Sequence, residues 1–332
     1  MPADRFVAVE QRNIGRSGLK VSSLGLGTLT WGRETDVDEA AAQLVAFRNA
    51  GGTLVDTAVS YAAGGSEAVL GQLIAEVVPR DELVIATKAG FTRVEDSDER
   101  VVDASRRALL GSLDLSLRRL GVDHIDLWQL HTPDDTVPIE ETLAAMDWAV
   151  SAGKARYVGV SNFCGWRTAQ AATWQQGAGG RAPIVSNQVS YSLLERGIER
   201  EVLPACQALG VGILPYSPLG GGVLSGKYRS GVPADSRAAG GSRNVAEFRR
   251  AELAGIVESV ATAAEGLATS PIAVALAWLR DRPGVTAPIL GARTLGQLGA
   301  ALASEALTLP IEIRDALDDV SMPSSGYPEN VR

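Results

Sequence analysis

Asp56 and Lys88 close two short apolar runs, TLVDTA and LVIATK, and Tyr61 follows the first after a brief polar step. A third run, IDLWQL, ends on His131. If these runs are neighbouring parallel strands, their ends lie side by side and the four polar groups converge. A tyrosine beside a lysine can donate a proton near working pH, because a nearby cation favours the phenolate and lowers the phenol pKa. Asp56 would then hold Lys88 charged and oriented, Tyr61 would protonate a developing alkoxide, and His131 would hydrogen-bond the reacting oxygen. Taken singly, a polar residue ending a buried strand is as readily a cap as a catalyst. Four of complementary chemistry on three successive strands are harder to assign to packing.

The elements around them alternate. The stretch NIGRSGLKVSSLGLGTLTWG predicts a small hairpin leading into a strand near Val21–Leu26. A helix capped by Asp36 follows, with Ala40, Leu44 and Phe47 on one face and a glycine pair as its stop. SEAVLGQLIAEVV reads as a helix between the Asp56 and Lys88 strands. In DASRRALLGSLDLSLRRLG, residues Leu109, Leu113, Leu117 and Leu120 recur at helical spacing while Asp114 and the arginines take other faces. Strand–helix pairs continue through RYVGVS, IVSNQVS, VGILPYS and TAPILG, the last helix before TAPILG being opened by Ser270 and Pro271. Residues 220–242, rich in Gly, Ser, Arg and Pro, predict a long functional loop. Terminal helices are expected near 294–303 and 311–319. Eight strands, each followed by helix, predict an α/β fold: a single-domain (β/α)8 TIM barrel spanning residues 1–332, with a short N-terminal β-hairpin and extra C-terminal helices.

Composition limits the function classes. The chain has 332 residues, 45% hydrophobic and 21% charged, ordinary for a globular protein. A formal charge of -8 and a pI near 5.0 argue against nucleic acid or an anionic membrane as partner. Cys164 and Cys206 make no metal-like spacing with each other or with the two histidines, and they suit a reducing, cytoplasmic compartment. No run approaches a membrane span, and the polar N-terminus is unlike a signal peptide. With no metal-binding pattern to polarise a carbonyl, a soluble hydride donor is the natural complement to the tyrosine. The expected partner is a small carbonyl compound, and the sequence names no oligomeric state.

The motifs NIGRSGLKVSSLGLGT, LVDTAVSYAAGGSEAVLG, VIATKAG, DLWQLHTPD, GKARYVGVSNF, NQVSYSLLER, LPYSPLGGGVLSGKY and PILGARTLGQL resemble, in order and over nearly the whole chain, the aldo-keto reductase superfamily. The resemblance is nearest to bacterial general reductases related to the voltage-gated potassium channel β subunits. It implies an NADPH/NADP+-dependent barrel reductase with Asp56, Tyr61, Lys88 and His131 as its tetrad. Carried over by position, Ser161, Asn162 and Gln188 match residues that bind the nicotinamide carboxamide, and Tyr216 matches the aromatic residue against its ring. Ser217, Leu219 and Gly220 match the pyrophosphate segment, and Gly291, Arg293 and Gln297 the segment around the adenosine and its 2′-phosphate. Gly27, Thr28 and Trp31 match the first loop, at the nicotinamide and substrate side. Two departures stand out: Ala62 follows Tyr61 where the family usually has glycine, and Ala300 and Ala301 replace the usual Glu and Asn near the adenine.

Other signals carry less. GGVLSGKY nearly satisfies the phosphate-loop pattern, but Tyr228 stands where a small magnesium-binding hydroxyl is needed. GLGTLT lacks the third glycine of a dinucleotide fingerprint. His124 reads as a surface residue, Cys164 as packing, and Trp128 and Trp148 as core. Two further functions are open at this stage: a cofactor-sensing regulatory module with slow or no turnover, and a Schiff-base aldolase using Lys88.

Overall fold

The computed structural model describes residues 8–93, 100–234, 236, 238–241, 243–323 and 326. Residues 94–99 of the loop after Phe91, and Asp235, Arg237 and Ser242 of the 220–242 stretch, lie outside the described residues.

The chain opens with a hairpin, β1 (Gln11–Asn13) against β2 (Lys20–Ser22), antiparallel. Ile14, Leu19 and Val21 from it are buried among Leu54, Ala86, Leu127, Leu214, Ala287 and Ile289, so the hairpin caps one end of the barrel's interior. The hairpin thus begins earlier than its turn residues suggested, and Val21 belongs to it. The first barrel strand is the three-residue β3 (Gly25–Gly27).

Seven more strands complete the barrel: β4 (Leu54–Asp56), β5 (Val84–Ala89), then, past a hairpin of β6 (Phe91–Arg93) and β7 (Arg100–Val102), β8 (Ile125–Leu130). β9 (Ala155–Ser161), β10 (Ile184–Ser190), β11 (Gly212–Tyr216) and β12 (Ile289–Leu290) follow. Their order is β11-β10-β9-β8-β5-β4-β3-β12, all parallel. An isolated parallel bridge, Ile213 to Val285, joins the two edges, with the Thr286 N–H donating to Ile213 O at 2.8 Å. The result is a nearly closed (β/α)8 barrel. The close approach of β12 to β3 depends on Gly27, since a Cβ there would lie 2.8 Å from Ile289 Cγ2 and 2.9 Å from Leu290 O. The β6–β7 hairpin at the mouth was not legible, because no turn dipeptide marks it.

Helices cover the outside: α1 (Val37–Asn49), α2 (Gly65–Glu76), α3 (Arg106–Leu120), α4 (Ile139–Ser151), α5 (Gly165–Gln176) and α6 (Val202–Leu209). Asp36 caps α1, accepting from the Glu39 N–H at 2.9 Å, and Ala40, Gln43, Leu44 and Phe47 are its buried face. Leu109, Leu113 and Leu120 of α3 are buried against the sheet, each stabilising by roughly 1.5–3 kcal/mol. Between β11 and β12 come α7 (Arg243–Phe248), α8 (Ala254–Gly266) and α9 (Pro271–Arg280), the last capped by Ser270. α10 (Leu295–Leu302) is the eighth barrel helix, and α11 (Ile311–Val320) lies beyond it against α8. The expected 220–242 loop is not wholly irregular, for Gly220–Ser225 form 3-10 turns. Trp128 is buried as expected, whereas Trp148 is 38% exposed with Lys154 over its ring, so that tryptophan is not core. Among the described residues no single helix is long and apolar enough to cross a membrane.

Candidate active site

The sequence alternation puts Asp56 at the end of β4 and Lys88 near the end of β5, both turned into the barrel. Lys88 is fully buried, and its Nζ donates to Asp56 Oδ2 at 2.6 Å, to Thr57 O at 2.9 Å and to Tyr61 Oη at 3.3 Å. Burial works most strongly against the ammonium charge. Asp56 and then Tyr61 outweigh it, so the Lys88 pKa is held above the ordinary lysine value. The remaining oxygen of Asp56, Oδ1, accepts from Gln188 Nε2 of β10 at 2.8 Å. Since a carboxylate only accepts, this contact assigns the orientation of the Gln188 amide.

Tyr61 follows β4 in a 3-10 turn whose next two residues, Ala62 and Ala63, have left-handed backbones. Its ring meets that of His131 edgewise at 5.9 Å between centroids, and the ring of Phe91 of β6 also meets the His131 ring edgewise, at 4.8 Å. His131 follows β8 directly, its N–H donating to Ala89 O at 2.8 Å. Asp56, Tyr61, Lys88 and His131, separated by 75 positions of chain numbering, thus share one end of the barrel.

A second set lies beside the first. Ser161 Oγ donates to Gln188 O at 2.8 Å, and Asn162 Nδ2 donates to His131 O at 2.9 Å. Tyr216 Oη donates to Asn162 Oδ1 at 2.9 Å. Burial, then Tyr61 and Glu195, push the Tyr216 phenol pKa upward, so it stays a donor at neutral pH. Asn162 and Ser217 take left-handed backbones just after their strands, a conformation asparagine tolerates well. A cavity of about 510 Å³ opens next to them, lined by Ser190, Leu194, Glu195, Tyr216, Ser217 and Phe248 among others. That volume is in the range of small-molecule and cofactor sites. Amide and hydroxyl groups on Ser161, Asn162 and Gln188 suit a carboxamide, so the residues present fit a nicotinamide cofactor at the barrel mouth.

The other residues divide. Gly27 is enclosed in the barrel, and the Thr28 N–H donates to Asp56 O at 2.9 Å, which ties the first loop to the tetrad. Thr28 Oγ1 and Thr57 Oγ1 both meet Ser66 Oγ, at 2.7 and 3.0 Å, fastening α2 to the same strands. Trp31 is fully buried, its Nε1 donating to Gln43 Oε1 of α1 at 3.2 Å, which ties the first loop to that helix. Leu219 and Gly220 lead into the 3-10 turns after β11. Gly291, Arg293 and Gln297 form a separate group at the start of α10, where Gln297 Oε1 accepts the Arg293 N–H at 2.9 Å. Thr35 Oγ1 donates to Arg293 O at 3.3 Å, linking that group to the first loop. Among the described residues no cluster of His, Cys, Asp and Glu could hold a metal ion.

Sequence reasoning passed over Thr57, Ser66, Glu67 and Arg119, all of which brace the tetrad. Glu67 carried a signal, being a charge in line with Leu70 and Ile74 on an apolar helix face. Arg119 carried none, since it adjoins Arg118 on what reads as a solvated side.

Residues 23–321 match the aldo/keto reductase family. An uncharacterized oxidoreductase of Bacillus subtilis is 35% identical over 94% of this chain and 96% of its own length. A probable voltage-gated potassium channel subunit beta of Oryza sativa is 36% identical over 87% of this chain and 89% of its own. The L-glyceraldehyde 3-phosphate reductase of Escherichia coli K12 is 33% identical over 89% and 87%. This parallel eight-stranded barrel carries a buried Asp56–Lys88 pair at its mouth with the half-buried Tyr61 beside it, and its matches are to oxidoreductases and channel subunits. The chain belongs to the aldo/keto reductase family.

Proposed function

We propose that this chain is an NADP(H)-dependent reductase of aldehydes or ketones, with Tyr61 as general acid. The observation that carries this reading is Lys88 Nζ, wholly buried between Asp56 Oδ2 at 2.6 Å and Tyr61 Oη at 3.3 Å. When bound, the nicotinamide supplies the hydride to the carbonyl carbon. Tyr61 gives its proton to the carbonyl oxygen as negative charge develops there. Lys88 stabilises the phenolate left behind, and Asp56, held in turn by Gln188, keeps the lysine charged and in place. His131 hydrogen-bonds the reacting oxygen. Tyr216, held protonated by burial, is a wall and a donor to Asn162 rather than a competing acid.

Ser161, Asn162 and Gln188 would hold the carboxamide and Tyr216 would pack against the ring. Ser217, Leu219 and Gly220 would take the pyrophosphate, with Gly27 and Thr28 closing the near side. Gly291, Arg293 and Gln297 would take the adenosine, Arg293 pairing with a 2′-phosphate by charge-assisted hydrogen bonds. Ala300 and Ala301 offer the adenine no polar side chain. Parallel fluorescence titrations with NADPH and NADH test the cofactor assignment, and clear preference for NADPH is expected. Equal or tighter NADH binding retires the Arg293 role, and failure of both to bind retires the cofactor reading.

A second reading has support in the relatives, several of which are named as probable potassium channel β subunits. A regulatory module with this site would bind nucleotide and turn over carbonyls negligibly.

A further inference from the structure

Tyr61 stands on backbone that an ordinary sequence avoids. Ala62 (φ 48°, ψ 36°) and Ala63 (φ 55°, ψ 30°) are both left-handed, and Gly64 follows at φ 96°. Consecutive left-handed alanines are disfavoured by contact of Cβ with the backbone, so neighbouring groups must impose this turn.

One side chain meets it from both ends. Arg119, in the last turn of α3, donates through Nη1 to Val59 O at 3.0 Å, two residues before Tyr61. Its Nη2 reaches Ala63 O, two residues after, at 3.5 Å. Nη1 also lies 3.4 Å from Glu67 Oε2, whose side chain is fully buried. The other oxygen of Glu67 accepts from Thr87 Oγ1 at 2.8 Å, and Thr87 is the neighbour of Lys88 on β5. The Val59 N–H completes the circuit by donating to Lys88 O at 3.0 Å. Gly64 leaves the space the guanidinium fills, since a Cβ there would lie 2.1 Å from Arg119 Cζ. Gly71 fixes where Arg119 starts, because a Cβ on it would lie 2.4 Å from Arg119 O, so α2 and α3 meet backbone to backbone.

We propose that Arg119, paired with Glu67, is a positioning residue for the proton donor: its guanidinium grips the carbonyls flanking Tyr61 and sets the phenol's register against Lys88. This rests on the reading of Tyr61 as general acid given above. Arg119 acts through the turn, touching backbone rather than the phenol. A planar fork suits the task, because a lysine ammonium in its place reaches one carbonyl but not two at fixed angles.

The test uses the full-length protein with NADPH and 4-nitrobenzaldehyde as the probe. Arg119→Met alone leaves Glu67 buried without its counter-charge, so Arg119→Met/Glu67→Gln is the decisive variant, the amide still accepting from Thr87. Expected is a kcat about 10- to 100-fold below the parent, as for sub-ångström to ångström misplacement of a catalytic group, with NADPH affinity unchanged. The alkaline limb of the kcat profile moves to higher pH as the phenol leaves the lysine's field. Arg119→Lys, which keeps the charge beside Glu67 and one donor, recovers part of kcat. A parent-like kcat and pH profile in the double variant overturns the proposal. An activity-independent reading comes from 19F spectra of 3-fluorotyrosine-labelled protein, with the Tyr61 resonance assigned by Tyr61→Phe. That resonance should shift or broaden in both Arg119 variants, and an unchanged resonance overturns the proposal even if one variant is too unstable to assay. If the parent itself reduces no carbonyl while the Tyr61 resonance still responds, the functional reading fails and the positioning role stands.

Discussion

Gln188 Nε2 donates to Asp56 Oδ1 at 2.8 Å across 132 positions of sequence, joining β10 to β4 with β9, β8 and β5 between them on one side. The bond crosses the mouth of the barrel. With Lys88 on Oδ2, it leaves both oxygens of a buried carboxylate satisfied, which is the condition for burying such a charge at tolerable cost.

Replacing that donor with an acid should expose the dependence. In Gln188→Glu, two carboxyl groups face each other, and the introduced group has its pKa raised by burial and by Asp56. A raised folded-state pKa favours the fold at low pH and loses that benefit as pH rises. The variant should therefore be less stable than the parent by about 1–3 kcal/mol at pH 8, with the gap narrowing toward pH 5. Denaturant melts at the two pH values measure it, and a gap that does not change with pH contradicts the cross-barrel bond.

Lys88 makes a complementary prediction. Its folded-state pKa lies above the ordinary 10.5, so the pair's stabilisation is fully present below that value and is lost as pH rises through the folded pKa. Denaturant melts of the parent should show no Lys88-linked change between pH 6 and about 9 and a loss in more alkaline buffer. Lys88→Met leaves Asp56 buried without its cation and should lose about 3–5 kcal/mol. Adding Asp56→Asn should restore much of that stability while leaving carbonyl reduction absent. A Lys88→Met protein as stable as the parent would mean the ion pair is not as buried as its geometry indicates.

Much of this arrangement was legible because the chemistry sits where a barrel must put it. Eight apolar runs ending in polar residues gave the strands, and their carboxyl ends gave Asp56, Lys88 and His131 without any knowledge of contacts, whereas Ser161, Gln188 and Tyr216 were singled out by the family resemblance. Ala62 is instructive: the glycine expected after the tyrosine marks a left-handed backbone, and the chain keeps that backbone at φ 48° with a side chain in place. What was not legible depends on distance in space. Trp31 lies within a motif of the first loop, yet its ring turns inward to Gln43, a contact no local pattern records. Trp148 sits in an apolar periodic helix, but its position falls at the edge of the buried face, where Lys154 covers it. Arg119 reads as one of two solvated arginines until α3 is packed on α2.

The central claim is that Tyr61 delivers the proton in a nicotinamide-dependent carbonyl reduction, and Tyr61→Phe tests it most directly. Steady-state NADPH oxidation with 4-nitrobenzaldehyde should fall by about 10²- to 10⁴-fold in the variant, the usual contribution of a positioned general acid. Fluorescence titration of the same preparation should give an unchanged affinity for NADPH, because the ring and its packing on His131 are retained. Turnover equal to the parent's, with cofactor bound, would contradict the account.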